Sequence, residues 1–175
     1  MNADSTTTRL TAEKFDELYR TYGRRAQGFF LRMTGYDRPL AEDLTQELFA
    51  RIWEHCSEYR SADSFATWMY AIAYNLCKNE YRHRIVVETY VQEARSAFSE
   101  AAPFFDTLER DEQKRLLAQA VQNLPVGQRE VFMLRYDEEL SIEQVAVVCG
   151  IPVGTVKSRL FTALQALRKQ FKQNE

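Results

Sequence analysis

Between Gln144 and Asn174 the chain carries five cations, Lys157, Arg159, Arg168, Lys169 and Lys172, and no carboxylate, although all 175 residues together have a formal net charge of −2. Hydroxyls and an aromatic ring are interleaved with them. Thr155, Lys157, Ser158, Arg159, Phe161 and Thr162 fall on the expected outer side of one helix. Such side chains in the N-terminal half of a helix suit phosphates and base edges in a major groove. A solvated basic face would use the same residue types. A second set, Tyr70, Tyr74, Lys78 and Arg82, recurs at steps of four, with Asn75 and Asn79 beside it. A third, Asp43, Gln46 and Glu47, forms the polar side of an amphipathic segment. Catalytic chemistry has no comparable support: there is no phosphate loop and no metal cluster, and the two histidines fit no triad. The expectation is a protein that is not an enzyme and has no cofactor and no metal. Cys56, Cys77 and Cys149 have neither zinc-ligand nor redox-motif spacing and read as small apolar residues in a reducing compartment.

These residues need elements to hold them, and the clearest is a helix-turn-helix. Ser141 followed three residues later by Gln144 matches a capping box opening the helix "IEQVAVVC". Gly150 supplies a positive φ at its end, and Pro152 starts the next helix. Ala146 is small where the helices touch, and Val156 faces back from the second helix. Val145, Ile151 and Leu160 add apolar packing. Upstream, "QREVFMLRYDEEL" reads as one more helix, after a turn at Pro125 and Gly127.

The first half is also helical. Phe15, Leu18, Tyr19, Tyr22, Ala26, Phe29, Phe30 and Met33 share a stripe, and Leu44, Leu48 and Ile52 share another with Phe49 and Trp53 beside it. Ser64 is a candidate N-cap for a helix burying Phe65, Trp68, Met69, Ile72, Ala73 and Leu76. From 86 to 112 there are seven acids against two bases, so the local balance is acidic and reads as a linker. The expected architecture is all-α: two small helical domains joined by an acidic linker, the second containing the helix-turn-helix. The boundaries are a disordered N-terminus at 1–10, a first domain at 11–85, the linker at 86–109 and a second domain at 110–172. The opening "MNADSTTTRL" lacks the apolar core of a signal peptide, and no apolar run approaches the ~18 residues that span a bilayer. A cytoplasmic protein with no membrane insertion of this chain is expected.

"LPVGQREVFMLRYDEELSIEQVAVVCGIPVGTVKSRLFTALQALR" resembles the C-terminal domain of bacterial extracytoplasmic-function sigma factors, the group IV branch of the primary sigma factor family. "AEDLTQELFARIWEH" and "SFATWMYAIAYNLCKNEYRHR" resemble the N-terminal domain of the same family. The resemblance implies partnership with core RNA polymerase (clamp and flap), with promoter DNA and with an anti-sigma factor. It implies that the first domain recognises and melts the −10 element and the second reads the −35 element. Asp43, Gln46 and Glu47 then match the family's clamp-docking face. Tyr70, Tyr74, Asn75, Lys78, Asn79 and Arg82 match its melting helix, where rings stack on bases and cations meet phosphates. Tyr59, Arg60, Ser61, Ala62, Asp63 and Ser64 match the loop that captures a flipped −10 base. The −35 contacts fall on Lys157, Ser158, Arg159 and Phe161, with Thr155 near the DNA backbone and Arg129 and Arg135 as further phosphate contacts.

Two positions depart from the family pattern. Thr162 stands where many members are basic, and Asn79 where many carry Asp; both blur the promoter sequence implied. The tyrosines have an alternative reading, packing against the second domain or a partner. The alternative functions are an ordinary helix-turn-helix regulator and a sigma-like mimic that titrates an anti-sigma factor.

Overall fold

Seven α-helices and one π-helical turn make up the described residues, with no strand among them. The computed structural model describes residues 11–55, 64–92 and 112–172. Thr11 caps α1 (Ala12–Met33), its hydroxyl accepting from the Lys14 N–H at 3.3 Å. Asp37 caps α2 (Arg38–Glu54) by accepting from the Leu40 N–H at 3.1 Å. Arg84 reaches back to Asp37 at 2.9 Å and so ties α3 (Phe65–Gln92) to the start of α2. Ala26, Phe29 and Phe30 of α1 meet Leu44, Leu48 and Ile52 of α2 and Met69, Ala73 and Leu76 of α3 in one buried cluster. This is the amphipathic packing that the spacing predicts.

The second unit runs through α4 (Glu112–Gln122), α5 (Val126–Phe132), a π-helical turn at Met133–Asp137, α6 (Ile142–Cys149) and α7 (Val153–Lys172). Part of its core is its own: Ala120, Val121, Leu124, Phe132, Met133, Ala163 and Leu167 cluster together. The rest is shared, because Val131, Leu134, Val145, Val156 and Leu160 belong to the same buried cluster as Phe29, Phe30 and Tyr70. The two units are packed against each other.

The all-α expectation holds, and two details change. α3 continues to Gln92, seven residues into the stretch assigned to the linker, since neither Gly nor Pro interrupts it. The next described helix begins at Glu112, and the residues before it, back to 93, lie outside the described ones. The helix expected over "QREVFMLRYDEEL" is interrupted by the π-helical turn, after which Glu139 takes a left-handed conformation at φ 59°. Residues 1–10 and most of the linker lie outside the described residues.

Gly150 is the local stop between α6 and α7. Its φ is 64°, and Ile151 N–H bonds to Ala146 O at 3.1 Å, the closing bond of a Schellman turn. A side chain there meets no neighbour, so only the backbone conformation opposes it. Gly150→Ala should therefore lower stability by about 1–2 kcal/mol, measured as a shift of the urea midpoint at unchanged m-value.

Candidate nucleic-acid interface

The helix-turn-helix forms as its residues require. Ser141 Oγ accepts from the Gln144 N–H at 3.1 Å, and Gln144 Oε1 accepts from the Ser141 N–H at 2.8 Å. α7 then departs at 106° from α6, within the range of such motifs. Ala146, Val156 and Leu160 are buried between the helices. The outer face of α7 presents Lys157, Ser158, Phe161 and Thr162, with Phe161 62% exposed. Thr155 is half-buried, and Ser158 donates to its carbonyl at 3.0 Å.

Arg159 departs from the outward position expected of it. It is half-buried, and its guanidinium lies so close to α5 that a Cβ on Gly127 would sit 3.0 Å from Arg159 Nη1. It lines an interdomain cavity of about 310 Å³ together with Tyr74, Lys78, Arg82, Arg129 and Glu130. Arg129 is held there by donating to Gln122 O at 3.0 Å, and Arg135 donates to Leu140 O at 3.2 Å.

The face of α3 is likewise turned inward. Tyr70 is 1% exposed and Tyr74 5% exposed, because the second unit covers them. Of the alternatives for these tyrosines, packing against the second domain is the arrangement in this structure. Asn75, Asn79 and Arg82 stay exposed at the edge of the contact, and Lys78 is half-buried with its ammonium over the Tyr74 ring at 5.4 Å.

The tyrosine hydroxyls end on carboxylates of the other unit. Tyr74 Oη donates to Glu130 Oε2 at 2.8 Å. Tyr70 Oη donates to Glu138 Oε2, and Arg32 Nη2 donates to Glu138 Oε1 at 2.5 Å. Arg25 approaches the same carboxylate at 3.7 Å and donates to the Glu138 carbonyl at 3.2 Å. Arg32 also pairs with Asp137 at 3.0 Å. Beside this network Gln144 Nε2 donates to Thr67 Oγ1 at 2.9 Å, linking the α6 cap to α3.

Burial pushes the carboxyls of Glu130, Asp137 and Glu138 above the ordinary range; hydrogen bonds and arginines only partly offset it. Burial and the adjoining carboxylates also raise both tyrosines, which remain donors. Cys77 and Cys149 line the same cavity, and burial pushes their thiols up to about 12. Low thiolate content makes them inert, in keeping with their reading as small apolar residues.

Glu130, Glu138, Arg25 and Arg32 were not among the residues singled out from the sequence. One signal was available: Glu130 shares a helix side with Val131 and Leu134, both buried, so an acid stands in an apolar stripe. On α2, Asp43, Gln46 and Glu47 are exposed, with Glu47 paired to Arg51 at 2.6 Å. Ser64 is exposed, and its carbonyl accepts from the Trp68 N–H at 3.1 Å. Tyr59, Arg60, Ser61, Ala62 and Asp63 lie outside the described residues. Among the described residues no group of His, Cys, Asp and Glu is arranged to hold a metal, and no single helix is long and apolar enough to cross a membrane.

Comparison with known proteins matches residues 18–84 to the family described as Sigma-70 region 2 and residues 114–167 to Sigma-70, region 4. The chain is 34% identical to the RNA polymerase sigma-H factor of Pseudomonas aeruginosa over 89% of its own length and 84% of that protein. It is 32% identical to the ECF RNA polymerase sigma factor SigW of Bacillus subtilis, covering 75% of each. Its fold is similar to that of the sigma factor RpoE of Bartonella quintana, solved in complex with the anti-sigma factor NepR. The TM-score is 0.74 at 22% identity, covering 94% of this chain and 100% of the other.

The raised carboxyls have a defined consequence. Groups whose native pKa lies above the unfolded value bind protons more readily in the closed chain, so they favour it as pH falls and oppose it as pH rises through the native values. Between the native values and the ordinary glutamate value of about 4.3, acidification should raise the urea midpoint through these groups. The Glu130→Gln, Glu138→Gln double variant should show a flatter dependence. Parallel midpoint-versus-pH curves for the two proteins would contradict this.

Proposed function

The chain belongs to the bacterial RNA polymerase sigma factors of the extracytoplasmic-function type, and from that membership we propose how its surfaces divide the work. A sigma factor of this type binds core RNA polymerase and directs it to initiate at particular promoters; it is not itself an enzyme. In this chain α2 docks on the polymerase clamp through Asp43, Gln46 and Glu47, whose exposure supports the reading. α3 takes the −10 element, with Tyr70 and Tyr74 offering rings to unstacked bases and Asn75, Lys78, Asn79 and Arg82 beside them. The segment Tyr59–Ser64 receives the flipped base.

α7 reads the −35 element. The observation that carries this is the outer face of α7: Lys157, Ser158, Phe161 and Thr162 stand exposed on the second helix of a capped helix-turn-helix. Arg159 joins them once it leaves the interdomain cavity, with Thr155 and Arg129 as backbone contacts. The second unit also meets the polymerase flap. Residues 86–109 include the connection between the domains and run through the polymerase cleft. An anti-sigma factor regulates the chain, a reading suggested by the complex in which RpoE of Bartonella quintana was solved. The work is done in the cytoplasm, where core polymerase is found.

Reconstitution with core polymerase tests this assignment. Transcription from DNA upstream of the chain's own gene should give a discrete start. Lys157→Ala with Phe161→Ala should weaken promoter binding of the holoenzyme by about 1–3 kcal/mol and leave capture by core unchanged. Glu47→Arg should reduce that capture. Wild-type transcription by the α7 variant would remove α7 from promoter reading.

A further inference from the structure

The residues assigned above to promoter contact are not all available in this conformation. Tyr70 and Tyr74 are covered, and Arg159 is folded into the cavity that also holds Lys78 and Arg82. What covers them is the chain itself. Glu138 accepts from Tyr70 and Arg32, with Arg25 close by, and Glu130 accepts from Tyr74. All these contacts run between the first unit and the second. By contrast, Asp43, Gln46 and Glu47 remain exposed on α2.

We propose that this arrangement is a self-inhibited state, in which Glu130 and Glu138 occupy the promoter-binding side chains as acceptors in place of nucleic acid. The inference rests on the assignment of α3 to promoter DNA. The chemistry of the exchange is direct. A carboxylate and a phosphate make the same demands on an arginine or a tyrosine hydroxyl, as anionic acceptors of N–H and O–H donors. While the carboxylates hold these donors, an incoming phosphate meets a negative charge and a closed surface. The two units must separate before α3 can reach a strand.

The lock acts on DNA and not on clamp docking, because the α2 face is open while α3 is shut. It also needs no inhibitor protein, since every contact lies within one chain. An anti-sigma factor would then act on a chain already biased towards silence.

The test is a reversible clamp. Tyr81 and Val126 are exposed and line opposite walls of the interdomain cavity. Tyr81→Cys with Val126→Cys, joined by a reductively cleavable bis-maleimide, would hold the units closed. Cys56→Ser removes the native thiol outside the described residues, and buried Cys77 and Cys149 react poorly. The clamped chain should still be captured by core polymerase while its transcript falls about tenfold or more, since the DNA-competent population is removed. Reduction should restore the transcript. Equal transcription before and after reduction would overturn the inference. If the reduced chain is captured by core but gives no transcript, the assignment of α3 and α7 to promoter DNA fails, and the inference fails with it. A second arm uses no cross-link. Glu138→Ala, its helical content confirmed by circular dichroism, should bind a fluorescent oligothymidylate severalfold more tightly than wild type. Unchanged or weaker binding would overturn the lock.

Discussion

A carboxylate removed from water must be given donors, and Glu138 receives them from both α1 and α3. Its side chain is 2% exposed, and Tyr70, Arg32 and Arg25 surround it. Much of the geometry of the second unit can be understood from this requirement. The π-helical turn at Met133–Asp137 widens the backbone just before Glu138, and Glu139 takes a left-handed φ of 59° just after it. A left-handed non-glycine residue is costly, by roughly 1–2 kcal/mol, and such a residue is held only where its surroundings fix it. The two irregularities bracket the acid that enters the interface. Breaking a buried charge cluster by removing one partner costs about 3–5 kcal/mol, yet such a cluster gains little over apolar packing. The contact is therefore specific in geometry and modest in net strength, which suits a surface that opens.

The same contact sorts the residues proposed for function into two sets. Those that remain exposed need no rearrangement: the α2 acids and the outer face of α7 at Lys157, Ser158, Phe161 and Thr162. Tyr70, Tyr74 and Arg159 are spoken for until the units part. α7 carries members of both sets within one turn. Arg159 lies on its inner side, close to Leu160 and the α5 start, while Lys157 and Ser158 point to solvent.

What could be read from the sequence followed the range of the interactions. The capping box at Ser141 and Gln144, the stop at Gly150 and the apolar partners Ala146 and Val156 act within a few residues, so their types and spacing determined the motif. The apolar stripes of α1 and α2 were legible for the same reason. α3 was legible only in part. Met69, Ala73 and Leu76 marked one buried side, but Tyr70, Tyr74 and Cys77 are buried on another. An amphipathic reading assigns the less apolar side to solvent, and here a second unit covers it. The tyrosine–carboxylate pairs join residues 56 and 68 positions apart, beyond any local pattern. The change to acidic composition after Arg84 marked a shift in charge and not the end of a helix. The helix runs through this change at least to Gln92, with no Gly or Pro to interrupt it.

The exposure of α2 in the closed chain constrains how the chain can be opened. A ligand shifts an equilibrium only by its difference in affinity for the two states. On the proposed assignment, docking through Asp43, Gln46 and Glu47 alone, which are exposed in the closed chain, would bind both states equally and shift nothing however tight it is. Under the same proposal, the free energy of opening must come from contacts to surfaces that closure hides: the tyrosine face of α3, or Arg159 and its neighbours. Recruitment and activation are then separable steps. On the proposed reading the first would depend on the acidic face of α2, exposed in the closed chain, and the second on a partner able to replace Glu130 and Glu138.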